Sequence, residues 1–277
     1  METERRHFLR AAAAALAASP WLVQAAEPKP AAGASLPDSH DMSAMPANWT
    51  GREQIGMLLY PGCTALDFVG PQYMFASLMG AQVHHVAASL APVTSDTGLS
   101  LLPTVTLADC PRDLDVLFVP GGGQGTLAAM RDEALLAFVA DRGSRARWVT
   151  SVCTGSLVLG AAGLLKGYRA TSHWVAHDLL TEAGATPVDE RVVRDRNRLT
   201  GAGISAGLDL GLTLIEILRD RLYGQSVQLL AEYAPQPPFN AGTPKSAPPE
   251  ATTLMRDMFT GFVRDGRQIL RNRDLRG

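Results

Sequence analysis

Arg147-Trp148-Val149-Thr150-Ser151-Val152-Cys153-Thr154-Gly155-Ser156-Leu157-Val158-Leu159 changes structural period within four residues. Trp148 to Val152 is a β-branched, mostly apolar run of strand length, and the stretch from Ser156 to Leu165 reads as a helix. Cys153, Thr154, Gly155 and Ser156 are all small, so the strand can deliver Cys153 to a tight turn and a helix can begin at once. That is the strand–turn–helix layout of a nucleophile elbow, without the glycine that commonly precedes the nucleophile.

The same alternation runs outward in both directions. Gln54 to Tyr60, Val83 to Ala87 and Leu114 to Val119 read as strands, the first and third buried on both faces and stopped by Pro61-Gly62 and Pro120-Gly121-Gly122-Gly123. Helices are expected over Ala65 to Met79, Asp132 to Arg142, Trp174 to Ala183 and Ser205 to Tyr223. Short strands are expected at Tyr168 to Thr171 and Arg191 to Val193. The fold class this implies is α/β: a three-layer sandwich with a mostly parallel, flavodoxin-like sheet and helices on both faces.

Flanking segments read differently. Arg5-Arg6 precedes Phe8-Leu9 and an alanine-rich run from Ala11 to Ala18, so residues 1–25 read as a signal peptide of the twin-arginine type, with export to the periplasm or beyond. Residues 26–50, rich in Pro, Ala and Ser, read as a flexible linker, and residues 51–244 as one catalytic domain. Residues 245–277 form a helical tail in which Leu254, Met258, Phe262 and Ile269 recur at helical spacing beside a solvated basic face of Arg256, Arg264, Arg267, Arg271, Arg273 and Arg276. A formal charge of −2 gives no general attraction to nucleic acid, and no window has the roughly 20 apolar residues that stable membrane insertion requires.

In an open parallel sheet the chemistry belongs at the carboxyl ends of the strands. Cys153 stands at one such end, where amide groups and the helix dipole favour thiolate. Its local pattern equally suits a small residue at a crowded strand end. Asp67 lies in the turn after the first strand; Thr64-Ala65-Leu66-Asp67 also has the spacing of a helix capping box. Cys63 and Cys110 read as small buried residues. His173 stands between a strand and a helix. His84 and His85 face opposite sides of a strand, and His177 with His173 lacks a third ligand, so no metal is expected. Gly121-Gly122-Gly123-Gln124-Gly125 lacks the third glycine of a dinucleotide loop, which has Thr126 at that offset, so no nucleotide cofactor is expected.

Thr150 to Leu165, Ala65 to Pro71, Phe118 to Gly123, Tyr168 to Trp174, Thr200 to Asp209 and Glu232 to Pro244 together resemble the ThiJ/PfpI family of the class I glutamine-amidotransferase-like fold, in particular its isonitrile hydratase branch. The resemblance implies catalysis by Cys153, Thr154 and Asp67 on a small-molecule substrate, a homodimer, and an assisting role for His173, whose place at a helix start equally suits a structural one; backbone amides after Cys153 and at Gly122 and Gly123 are placed to hold developing negative charge. Thr154 stands where the PfpI proteases have histidine, which argues against proteolysis. A glyoxalase-like or deglycase-like activity and a periplasmic sensing role stay open. The 33 residues after Pro244 are too few for the paired helix-turn-helix units of AraC-type regulators that carry a similar domain.

Overall fold

β1 (Gln54–Leu58) starts a seven-stranded sheet in the computed structural model, which describes residues 45–274. The twin-arginine segment and the linker up to residue 44 lie outside the described residues. Residues 46–274 form one compact unit. The strands that follow are β2 (Gln82–Ala87), β3 (Val93–Thr94), β4 (Ser100–Leu101), β5 (Val105–Thr106), β6 (Val116–Val119), β7 (Trp148–Val152), β8 (Arg169–Ala170), β9 (Thr186–Pro187), β10 (Val192–Asp195) and β11 (Arg198–Gly201). Their order in the main sheet is β10-β11-β7-β6-β1-β2-β5. Every neighbouring pair is parallel except β10 with β11. β3–β4 and β8–β9 are separate two-stranded pairs.

The helices are α1 (Ala65–Ala76), α2 (Gly123–Ala129), α3 (Glu133–Arg145), α4 (Gly155–Ala161), α5 (Leu179–Glu182), α6 (Ala206–Leu218), α7 (Arg221–Leu230) and α8 (Pro249–Asp274). The chain leaves β1 toward β2 but leaves β6 toward β7, so right-handed crossovers put α1 and α2–α4 on opposite faces. Loops therefore diverge between β1 and β6, opening a crevice at their carboxyl ends. Phe75 on α1 and Phe118 on β6 are fully buried, with ring centroids 5.6 Å apart in an edge contact. Burying each ring contributes about 1.5–3 kcal/mol, and together they seat α1 on the sheet.

Several expected boundaries move for identifiable reasons. The helix expected over Ser205 to Tyr223 breaks at Arg219, because Asp220 caps a new helix by accepting from Tyr223 N (2.8 Å). The linker ends sooner than expected: Trp49 is buried on Tyr223 and its indole N–H donates to Asp220 (2.9 Å). Only Leu179–Glu182 of the helix expected from Trp174 is α-helical. β11 was not expected, since its sequence, Arg-Leu-Thr-Gly, opens on a charge. Arg198 is nonetheless buried, donating to Leu164 O (2.8 Å) with its guanidinium over the Tyr168 ring. α2 was hidden by its glycines. On α8, Phe262 and Ile269 are buried but Leu254 and Met258 are exposed. Its basic face is partly docked: Arg267 and Arg271 pair with Glu182, and Arg273 with Glu133. No helix among the described residues is long and apolar enough to cross a membrane.

Candidate active site

Cys153 has φ +57°, a left-handed conformation that costs a residue with a side chain roughly 1–2 kcal/mol. Four hydrogen bonds hold it there. Its N–H is shared between Ala202 O (2.7 Å) and Gly201 O (3.1 Å), and its carbonyl accepts from Ser172 Oγ (3.1 Å) and Ser156 Oγ (3.2 Å). The helix after it starts at Gly155 because nothing larger fits: a Cβ there would lie 2.2 Å from Val119 O. Backbone held against its preference in this way is a recurring property of functional sites. The elbow read from the sequence is therefore present.

Asp67 is fully buried on the first turn of α1. Its Oδ2 accepts from Gly121 N (3.0 Å), and the carboxyl interacts with the Cys153 thiol. Oδ1 is buried without a hydrogen-bond partner, which leaves it available to the thiol. The capping-box reading fails, because the hydroxyl of Thr64 turns away to donate to Asp96 (2.7 Å) and Thr64 N donates to Gly121 O (2.8 Å). Gly121 is glycine by necessity: a Cβ would meet Thr154 N at 2.6 Å, Thr154 Oγ1 at 2.7 Å and Asp67 Oδ2 at 2.8 Å.

Burial pushes the Asp67 carboxyl up to about 7, against smaller opposing effects from Cys153 and Gly121 N. Burial also raises the Cys153 thiol well above its ordinary value, and the Asp67 carboxylate adds to this. The backbone amides of Thr154 and Ile204 work the other way on the sulfur, but they are outweighed. Burial thus favours the neutral thiol, against the local amides that favour thiolate. Asp67 is the carboxyl that interacts with it and so the base available for its proton.

Thr154 belongs to a buried hydroxyl chain whose direction can be worked out. Tyr60 OH donates its single proton to Pro120 O (2.7 Å), so its contact with Thr126 Oγ1 (3.2 Å) needs Thr126 as donor. Thr126 then accepts from Thr154 (2.8 Å), and Thr154 accepts from Gly122 N (3.0 Å). The Thr154 proton therefore points away from the sulfur, leaving a lone pair on its oxygen. Gly122 N is already engaged, and Gly123 begins α2. The Thr154 amide, the one directly after Cys153, acts on the sulfur together with that of Ile204. The contacts made here by Ile204, Ser156, Ser172, Tyr60 and Thr126 were not read from sequence.

His173 sits one layer back. Its ring lies over Gly203, with its edge where a Cβ would be, and against Trp174 and Phe259 at 5.9 and 6.0 Å. Burial lowers its pKa, so it is neutral at pH 7. Cys63 and Cys110 are buried free thiols; burial raises Cys63 to about 11. His84 bonds Gln54 (2.8 Å) and His85 packs on Phe68. No three His, Cys, Asp or Glu among the described residues are grouped to hold a metal. A cleft of about 610 Å³ between Trp174 and α8 includes neither Cys153 nor Asp67 in its walls.

The sequence model of the DJ-1/PfpI family matches residues 53–217. The chain belongs to this family. Isonitrile hydratase from Pseudomonas putida is 57% identical over 196 residues, covering 70% of this chain and 85% of that protein. A crystal structure of a ThiJ/PfpI family protein from Pseudomonas syringae superposes with a TM-score of 0.80 at 56% identity, over 86% of this chain and 98% of the other. A glutathione-independent glyoxalase of Caenorhabditis elegans, DJR-1.2, is 30% identical over 143 residues, half of this chain and 74% of that protein. Within the DJ-1/PfpI chain the matched region spans β1 to α6 and so includes Asp67, Gly121, Cys153, Thr154 and His173.

Proposed function

We propose that this protein adds water to an isonitrile through a covalent intermediate on Cys153, giving an N-substituted formamide. The observation that carries the proposal is a fully buried Asp67 carboxyl, held through one oxygen by Gly121 N and unpartnered at the other, interacting with Cys153 at its left-handed turn. The 57% identity to an isonitrile hydratase supplies the substrate class.

The steps balance with water alone. Asp67 takes the thiol proton, and the thiolate adds to the terminal isonitrile carbon. Asp67 returns the proton to that same carbon, giving a thioimidate, R–N=CH–S–Cys153. Water then attacks the carbon while Asp67 accepts one of its protons and passes it to nitrogen. The lone pair of Thr154 is free to orient that water. The tetrahedral R–NH–CH(OH)–S–Cys153 collapses to R–NH–CHO; the departing sulfur recovers a proton, and amides of Thr154 and Ile204 steady its charge. His173 contributes by packing on Gly203, beside the Ile204 amide, rather than by proton transfer. The paired arginines support export to the periplasm, and family habit supports a homodimer, as parts of the same proposal.

NMR of the full protein with a simple alkyl isonitrile, beside methylglyoxal, tests the reading. Formamide supports it; lactate from methylglyoxal without formamide replaces it with a glyoxalase-like activity, and full turnover by Cys153→Ala overturns it.

A further inference from the structure

The β3–β4 turn makes four hydrogen bonds to the turn that carries Asp67. Gly62 N donates to Thr94 O (2.9 Å), and Asp96 N donates to Cys63 O (3.0 Å). The Asp96 carboxylate accepts from Thr64 Oγ1 (2.7 Å) and from Ala65 N (3.3 Å). Thr64 makes no capping hydrogen bond of its own, so an acid from another segment caps α1. The turn holding Asp96 is internally braced, with Ser95 Oγ accepting from Leu99 N (3.0 Å) and Gly98 N donating to Ser95 O (3.1 Å).

We propose that Asp96 is a positioning residue for Asp67: it takes over the capping contacts of α1 and so leaves the Asp67 side chain free to turn inward toward the sulfur. The inference rests on reading Asp67 as the proton carrier. In a capping box the acid three residues past the cap reaches back to the cap's own N–H. Here Gly121 O accepts that N–H and Asp96 supplies the acceptor, so Asp67 has nothing to do at the helix end. The same carboxylate is an exposed negative charge near Asp67, and it raises the Asp67 pKa in addition to burial. The other titratable groups around Asp67 are Cys153, Cys63 and Tyr60, which burial keeps protonated at neutral pH, so Asp96 is the standing charge that Asp67 feels.

The sign follows. Below about pH 7 both Asp67 and Cys153 are protonated and no base is present for the thiol. Reactivity of Cys153 should rise with pH as Asp67 ionises. Asp96→Asn keeps one acceptor oxygen for Ala65 N, its amide donating to the Thr64 hydroxyl instead, but removes the charge, so the rise should move to lower pH. Asp96→Ala removes the cap as well, and its plateau should fall about ten-fold as Asp67 loses its placement. The readout is the pH dependence of Cys153 alkylation by iodoacetamide in the full chain, mapped by peptide mass spectrometry, with the unfolding midpoint measured alongside. In 1 M NaCl the separation between wild type and Asp96→Asn should shrink, because exposed charges are screened within about 3 Å. Alkylation profiles of both variants that superimpose on wild type, with only stability reduced, would overturn the proposal. The assay needs no isonitrile. A protein that yields no formamide can still show the shift, so failure of the hydratase reading and failure of the Asp96 inference remain separate.

Discussion

Replacing Asp67 by Asn should make the protein more stable in mild base and leave it nearly unchanged in acid. The carboxyl titrates at about 7 when folded and near 3.8 when free, so the folded state holds a proton that the unfolded state has lost between those values. Stability must therefore fall as pH rises through that window, by about 1.4 kcal/mol per unit. The full difference of about three units corresponds to roughly 4 kcal/mol, and the part between pH 5 and pH 8 to roughly 2–3 kcal/mol. Asn cannot ionise; its carbonyl oxygen can still accept from Gly121 N, and its amide can donate toward the sulfur. Urea unfolding of both proteins under reducing conditions at pH 5 and pH 8 gives the comparison directly. The gain of Asp67→Asn over wild type should be larger at pH 8 by that 2–3 kcal/mol. Parallel stability curves would mean that Asp67 titrates as an ordinary exposed acid. The account of Asp67 as a buried carboxyl that serves as the base for Cys153 would then be refuted.

Other outcomes follow from the same geometry. Cys153→Gly should be more stable than Cys153→Ala by about 1 kcal/mol in urea unfolding, because only glycine adopts φ +57° freely. Gly121→Ala should fold but lose about a hundred-fold in kcat, since its Cβ displaces Asp67 or Thr154; circular dichroism and steady-state rates separate the two effects. Glu53→Gln should cost about 3 kcal/mol in urea unfolding, because the Arg219 guanidinium it pairs with at 2.5 and 2.8 Å is almost entirely buried; Glu53→Gln with Arg219→Met should recover much of that loss.

The sheet was legible wherever a strand is buried on both faces. Val116–Val119 and Trp148–Val152 announce themselves as apolar or β-branched runs because no side of them meets water. Arg198–Gly201 was not legible, since its leading charge is accommodated by a hydrogen bond to Leu164 O and by the Tyr168 ring, partners distant in sequence. The site divides similarly. Cys153 and Asp67 could be read from local turn chemistry and from resemblance. The state of the sulfur could not, because the local amides that favour thiolate are outweighed by burial, which only the packed fold imposes. Ile204 carries no signal at all: it acts through its backbone N–H, which every residue except proline possesses. The capping spacing at Thr64 to Asp67 misled for a comparable reason, the acceptor being supplied by Asp96 some thirty residues later.

The proposed covalent step can be tested directly. Rapid acid quench of the full protein during turnover of an alkyl isonitrile, followed by peptide mass spectrometry, should find Cys153 heavier by the whole mass of the isonitrile, since thiol and proton both add to one carbon. The adduct should accumulate in Asp67→Asn if addition still occurs there, because water then lacks its base. Formamide produced at the wild-type rate with Cys153 never modified would contradict the account.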